Sequence, residues 1–155
     1  MTHILVVCTA NICRSPVVEV VLRDRLKSRG LADWTVASAG TWALDGYGAS
    51  QHSVTIMAEK GLDLQAHQAR TITEKMLAEA DLVVCMESGH VEAIKAEFPH
   101  CQEKVFLLSQ MIGRRYSISD PYGGPLEGYQ RMAEEITNII DEGLEMIIAL
   151  AQADK

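Results

Sequence analysis

Three short apolar runs, His3 to Val7, Trp34 to Ala39 and Asp81 to Met86, are each followed by a polar loop and then a stretch with helical spacing. This alternation constrains the fold more than any other feature of the chain. Strands separated by helices pair in parallel, and a parallel sheet needs helices over both faces. Pro16 sits where proline suits the first turn of a helix, which is expected to run to Ser28 and stop at Gly30. The second run ends at Gly40, a breaker, and residues 41–49 with Gly46 and Gly48 read as a loop. A helix is expected from Ser50 to Lys60 with Gly61 just after it, and another from Thr73, as cap, to Ala80. The third run leads into a helix from Ser88 to Glu97, stopped by Pro99. Lys104 to Leu108 reads as a short fourth strand, and Ser109 to Pro125 as mostly loop. Tyr129, Met132, Ile136, Ile140, Leu144 and Ile147 recur at helical spacing and predict a long last helix with one face on the core. The 155 residues, without repeat or linker, are expected to form one α/β domain, residues 1–155.

Composition narrows the function. Lys and Arg number 14 and Asp and Glu 21, a net charge of −7, which argues against a general binder of nucleic acid or anionic membrane. Residues 1–78 carry 8 basic and 7 acidic side chains, while residues 79–155 carry 6 and 14. An anion site is therefore expected in the first half, built from local donors. No apolar run is long enough to span a membrane, and the start Met-Thr-His-Ile-Leu-Val-Val shows no secretory signal, so a cytoplasmic protein is expected. The four cysteines, at 8, 13, 85 and 101, have no zinc-type pairing, and in a reducing compartment they are expected to be thiols.

The chemistry concentrates in Cys8-Thr9-Ala10-Asn11-Ile12-Cys13-Arg14-Ser15, between the first strand and its helix. Ligands of open α/β sheets bind beyond the carboxyl ends of the strands. A loop curling there turns successive backbone N–H groups inward and forms an anion nest, and the helix N-terminus adds partial positive charge. That field favours the thiolate of Cys8, and Arg14 offers a planar fork matched to two phosphate oxygens. Ser15 can donate its hydroxyl to the sulfur. Cys8 as an inert core thiol and Arg14 as a surface charge is the competing view, but it leaves unexplained the Arg-Ser-Pro that opens the helix. Asp120, before Pro121, is either a turn former or a proton donor for a leaving oxygen.

The chain resembles the low-molecular-weight protein tyrosine phosphatases, bacterial type. The resemblance rests on the C-x4-C-R-S-P segment from Cys8, Ser38-Ala39-Gly40-Thr41, His67-Gln68-Ala69-Arg70 and Asp120-Pro121-Tyr122, in register over almost the whole length. It implies a four-stranded parallel sheet of order 2-1-3-4 with helices on both faces and a phosphate-binding loop after the first strand. Cys8 would be the nucleophile of a phosphocysteine intermediate, and Arg14 and the loop N–H groups would hold the phosphoryl oxygens. Asp120 would protonate the leaving phenolate and then activate water. Asn11, Ser15, Ser38 and His67 would form a polar network supporting the loop; His67 would otherwise pass as a helix-edge histidine. No metal or cofactor is implied, and a phosphate or sulfate ion would occupy the loop.

Tyr122 would form one wall of the substrate slot, or alternatively fill core space. The opposite wall departs from the family pattern: Leu44 stands where many members have an aromatic, and Trp42 could substitute if its loop turns it inward. Leu44 resembles bacterial enzymes acting on tyrosine kinases of polysaccharide export, which points to a phosphotyrosine protein, a bacterial tyrosine kinase, as partner. Ala10 replaces a usual glycine. Cys13 would protect Cys8 by a reversible disulfide, or simply fill space under the loop; Cys85 and Cys101 are expected to be inert. Two relatives in chemistry are alternatives. A protein-arginine phosphatase is suggested by Asp120-Pro121-Tyr122-Gly123-Gly124, but that branch carries threonine at the position of Ile12. A thiol-dependent arsenate reductase needs two further cysteines placed just after the third strand, where this chain has Glu87.

Overall fold

The computed structural model describes residues 1–153. Its elements are β1 (His3–Cys8), α1 (Arg14–Ser28), β2 (Thr35–Gly40), α2 (Gln51–Glu59), α3 (Glu74–Glu79), β3 (Leu82–Cys85), α4 (Ser88–Glu97), β4 (Val105–Leu107) and α5 (Leu126–Gln152), with 3-10 turns at Pro99–Lys104 and Leu108–Ile112. The four strands form one parallel sheet of order β2-β1-β3-β4, as expected. The register sets Cys8 opposite Gly40 and Val7 opposite Cys85, so the carboxyl ends of β1, β2 and β3 lie at one edge.

Alternation along β1 divides the core. Ile4, Val6 and Cys8 pack with α1, α2 and α5, while Leu5 and Val7 pack with Leu77 of α3 and Ile94 of α4. From Ile4 to Cys8 in β1 and throughout β3 both faces are buried, which is why these strands read as unbroken apolar runs. Of the spaced positions in the last helix, Tyr129, Met132, Ile136, Ile140 and Ile147 are buried, and Leu144 packs partly against them.

The expected helix stops are present. Gly30 has φ +80°, the Leu31 N–H donates to Leu26 O at 2.9 Å and the Gly30 N–H to Lys27 O at 3.1 Å. Leu62 and Gly61 repeat this arrangement onto Met57 and Ala58. Both are the left-handed terminus that glycine adopts without a Cβ penalty. Thr73 caps α3, accepting from the Met76 N–H. Several ends differ by a single residue, and three differences bear on the site and its packing. Helix α1 begins at Arg14, two residues before Pro16, so Arg14 and Ser15 belong to its first turn, where orphan N–H groups need no partner from the helix. Strand β2 runs through Gly40 rather than breaking there, because Gly40 still pairs with Cys8. The segment expected to be loop from Ser109 opens instead with the 3-10 turn, which packs on α5. The expected domain ran to residue 155; residues 154 and 155 lie outside those described. Among the described residues no helix is long and apolar enough to cross a membrane.

Candidate active site

The loop from Cys8 to Cys13 is held by its carbonyls. Cys8 O accepts from the Thr41 N–H (3.0 Å), Thr9 O from Trp42 (2.9 Å), Ala10 O from Leu44 (3.2 Å) and Ile12 O from Ser50 (2.8 Å). His67 Nε2 donates to Asn11 O at 2.6 Å, and Ser53 Oγ to Cys13 O at 3.2 Å. All six carbonyls are thus engaged from outside the curl, which leaves the peptide N–H groups to line its inside. Such a concavity binds anions, and the N-terminus of α1 faces the same space.

The side chains expected to support the loop meet in one network. Asn11 has φ +62° and is the one non-glycine among the described residues in the left-handed region, a conformation asparagine tolerates better than most. It is fully buried. Its Oδ1 accepts from the Arg70 N–H at 2.9 Å, which turns its amide nitrogen to Ser15 Oγ and Ser38 Oγ, both at 2.9 Å. Because Ser15 Oγ already accepts from Asn11, its single hydrogen is free for Cys8 Sγ, 2.9 Å away. The buried sulfur therefore faces a hydroxyl donor that would stabilise its anion.

Gly40 is needed at its place. A Cβ there would lie inside van der Waals contact with the Thr9 carbonyl and within 3.1 Å of the Asn11 nitrogen, both backbone atoms. Gly40→Ala is expected to push the loop off the sheet edge. It should cost about 1–3 kcal/mol of stability, read by denaturant unfolding, together with most of the phosphate affinity. Unchanged phosphate binding would show that the loop can shift without loss.

Arg14 is 1% exposed. It donates to Ile118 O at 2.7 Å, pairs with Glu87 Oε2 at 2.8 Å and lies 3.6 Å from Asp120 Oδ2. Its Nε has no hydrogen-bond partner among the described residues. A buried guanidinium with one donor unspent, beside an inward-facing nest, can take up an anion oxygen. Cys8, Ala10, Cys13, Arg14, Asp120 and Tyr122 line a narrow recess over the sulfur. Asp120 is open to water and accepts from the Tyr122 N–H at 3.1 Å. The turn expected there is present: the Gly124 N–H donates to Pro121 O, and Gly123 has φ +80°. A broader groove of about 330 Å³, along Pro121, Arg131 and Met132, shares Asp120 with the recess.

Tyr122, 62% exposed, stands at the recess rather than in the core. Trp42 and Leu44 lie on the loop bonded to Thr9 and Ala10 but do not line the recess; Trp42 is 81% exposed. Ile12 is buried in the core beneath the loop. Cys13 Sγ is 3.0 Å from Ser50 Oγ and 3.4 Å from Tyr129 Oη. Burial pushes the Cys13 thiol up, against the two hydrogen bonds, and burial with the Cys13 contact pushes Tyr129 up to about 12. Cys85 and Cys101 are buried on the other face of the sheet, and burial raises the Cys85 thiol.

Sequence reading missed Glu87 and His90, as well as the Arg70 and Ser50 backbone donors. Glu87 had one visible signal: it is a charged residue just past a buried strand, at the same sheet edge as Cys8.

Residues 3–152 match the family described as low molecular weight phosphotyrosine protein phosphatase. The chain is 36% identical over 146 residues to a protein-arginine-phosphatase of Geobacillus stearothermophilus, covering 94% of this chain and 95% of that one. It is 35% identical over 147 residues to EpsP, a probable low molecular weight protein-tyrosine-phosphatase of Ralstonia nicotianae, covering 95% and 97%. The structure of a low molecular weight protein tyrosine phosphatase from T. tengcongensis superposes with a TM-score of 0.89 at 35% identity, covering 94% and 99%. The chain belongs to the low-molecular-weight phosphotyrosine protein phosphatase family, phosphatases that work through a cysteine nucleophile.

Proposed function

We propose that the chain is a protein tyrosine phosphatase in which Cys8 attacks the phosphorus of phosphotyrosine. The observation that carries the reading is Cys8 Sγ, bonded to Ser15, at the foot of a recess faced by Arg14 and Asp120. The sulfur forms the S–P bond as the P–O bond to the phenol breaks, and Asp120 gives its proton to the leaving oxygen. Asp120 then takes a proton from water, which attacks the phosphocysteine and releases inorganic phosphate and the Cys8 thiolate. Arg14 and the N–H groups of residues 9–14 carry the charge on the phosphoryl oxygens throughout. The network of Asn11, Ser15, Ser38 and His67 keeps the loop in this shape.

Tyrosine rather than arginine is favoured by Ile12, which is buried and has no group to assist water. It is favoured as well by Tyr122, whose exposed ring at the recess offers an aromatic face suited to an aryl group. A bacterial tyrosine kinase is the partner this reading implies. Arginine phosphatase activity is the second reading, favoured by the Asp120-Pro121-Tyr122-Gly123-Gly124 turn and the Geobacillus relative. Phosphate release from a phosphotyrosine peptide and from phosphoarginine, without added metal, separates them. Turnover of the tyrosine substrate is expected; turnover confined to phosphoarginine overturns the substrate and keeps the nucleophile.

Cys13 is the proposed resolving thiol. Peroxide would convert the Cys8 thiolate to a sulfenic acid, and the Cys13 sulfur would then displace water to give the disulfide. Cys13 is held protonated by burial and bonded to Ser50 and Tyr129, so it must swing from those hydroxyls. After mild peroxide, peptide mass spectrometry is expected to find Cys8 joined to Cys13, with full recovery by thiol. In Cys13→Ser, Cys8 should pass to sulfinic acid. Overoxidised Cys8 in the wild type would end the proposal.

A further inference from the structure

His90, in the first turn of α4, is buried, and both of its ring nitrogens are engaged by different parts of the site. Nδ1 accepts from the Glu87 backbone N–H at 3.2 Å. A neutral ring that accepts at Nδ1 carries its proton on Nε2, so the 2.9 Å contact of Nε2 with Thr9 Oγ1 is a bond from His90 to the threonine. Thr9 is the residue after Cys8, and its carbonyl is held on the opposite side by Trp42. Glu87, whose N–H is fixed by the same ring, places Oε2 on Arg14 at 2.8 Å and 3.5 Å from His90 Nε2. One imidazole thus touches the start of the loop and the residue that holds the arginine at its end.

We propose that His90 is a positioning residue of the phosphate loop, its neutral ring tying Thr9 to the N-terminus of α4 so that the loop and Arg14 are registered against one anchor. This rests on the reading of the Cys8 loop as the anion site. A proton on Nδ1 would oppose the Glu87 N–H, donor against donor, so the Glu87 half of the tie exists in the neutral ring alone. Burial holds the ring below the ordinary histidine range. The charged groups around it are Glu87 at the start of α4, Arg14 from α1 and Asp120 from the loop before α5; the carboxylates oppose the burial effect and Arg14 adds to it.

Two substitutions divide the ring's contacts. His90→Asn keeps an acceptor near Nδ1 and removes the reach to Thr9; His90→Gln can return an amide donor to Thr9. Turnover of p-nitrophenyl phosphate and affinity for inorganic phosphate are measured on each, on Thr9→Val and on the Thr9→Val/His90→Asn pair. We expect His90→Asn to lower kcat roughly tenfold, with KM changed by less than about threefold. The double variant should be no worse than His90→Asn, and His90→Gln should recover part of the loss. Phosphate affinity should fall in the same non-additive way. In ¹⁵N spectra the His90 ring is expected as the Nε2-protonated neutral form at pH 7. The proposal is overturned by wild-type kcat and phosphate affinity in His90→Asn, by fully additive losses, or by the Nδ1-protonated form. If p-nitrophenyl phosphate is not hydrolysed by the wild type, the catalytic reading fails, and the phosphate-affinity cycle alone decides the role of His90.

The pH dependence has a defined sign. The unfolded histidine titrates at about 6.5 and the folded one lower, so the contribution to stability is complete above that value and is lost as pH falls through the folded value. Wild-type Tm should therefore fall more on acidification below pH 6.5 than that of His90→Asn. His3, also held low by burial, leaves a shared residual slope in both. Equal slopes would remove the neutral-ring requirement.

Discussion

Cys8→Ser is expected to lower phosphate release from a phosphotyrosine peptide by roughly 10⁴-fold or more while leaving the fold in place. The hydroxyl would occupy the same buried position beside Ser15, so packing changes little, and Tm should stay close to that of the wild type. On the proposed mechanism what is lost is the thiolate nucleophile, since a hydroxyl ionises far less readily than a thiol. Inorganic phosphate should still bind, because Arg14 and the loop N–H groups are untouched. Steady-state assays, thermal unfolding and calorimetric phosphate titration on the same preparation check all three statements. Retained turnover would remove Cys8 from the reaction.

The second large effect is at Arg14, where even lysine is expected to cost about 10²–10³-fold in kcat/KM. The guanidinium serves Ile118 O and Glu87 simultaneously and still has Nε to offer. An ammonium is one point charge and cannot hold that fork while meeting two phosphoryl oxygens. The stability change should be much smaller than the activity change, since Glu87 is open enough to water to be solvated when its partner leaves. Activity within threefold of wild type in Arg14→Lys, by the same assay, would show that charge alone suffices.

The legible part of the site was its contiguous part. Cys8, Arg14 and Ser15 lie within one strand–loop–helix unit, and the geometry of such a unit follows from local rules: an apolar run, a polar curl, a proline in the first helical turn. The network of Asn11, Ser38 and His67 is legible only through the family resemblance, since nothing about an isolated histidine at 67 shows that it will meet the carbonyl at 11. Glu87 and His90 carry no such signal for a related reason. In the sequence one is a residue after a strand and the other a residue of a helix, and only the pairing of β1 with β3 sets them beside Thr9 and Arg14.

The amino-acid sequence by itself determined the elements, because strand period, helix spacing and the left-handed glycines at 30 and 61 act over a few residues and are largely indifferent to the rest of the chain. Tertiary structure alone decided which distant groups converge on the recess. Asp120 and the Ile118 carbonyl come to Arg14 across more than a hundred positions, Glu87 binds it from the neighbouring strand's end, and His90 reaches Thr9. It also turned Trp42 outward to solvent and Cys13 toward Ser50 and Tyr129. The physical reason is that these positions depend on sheet register and on how helices seat against the sheet. Those are settled by burial of the whole core, and no local pattern records them.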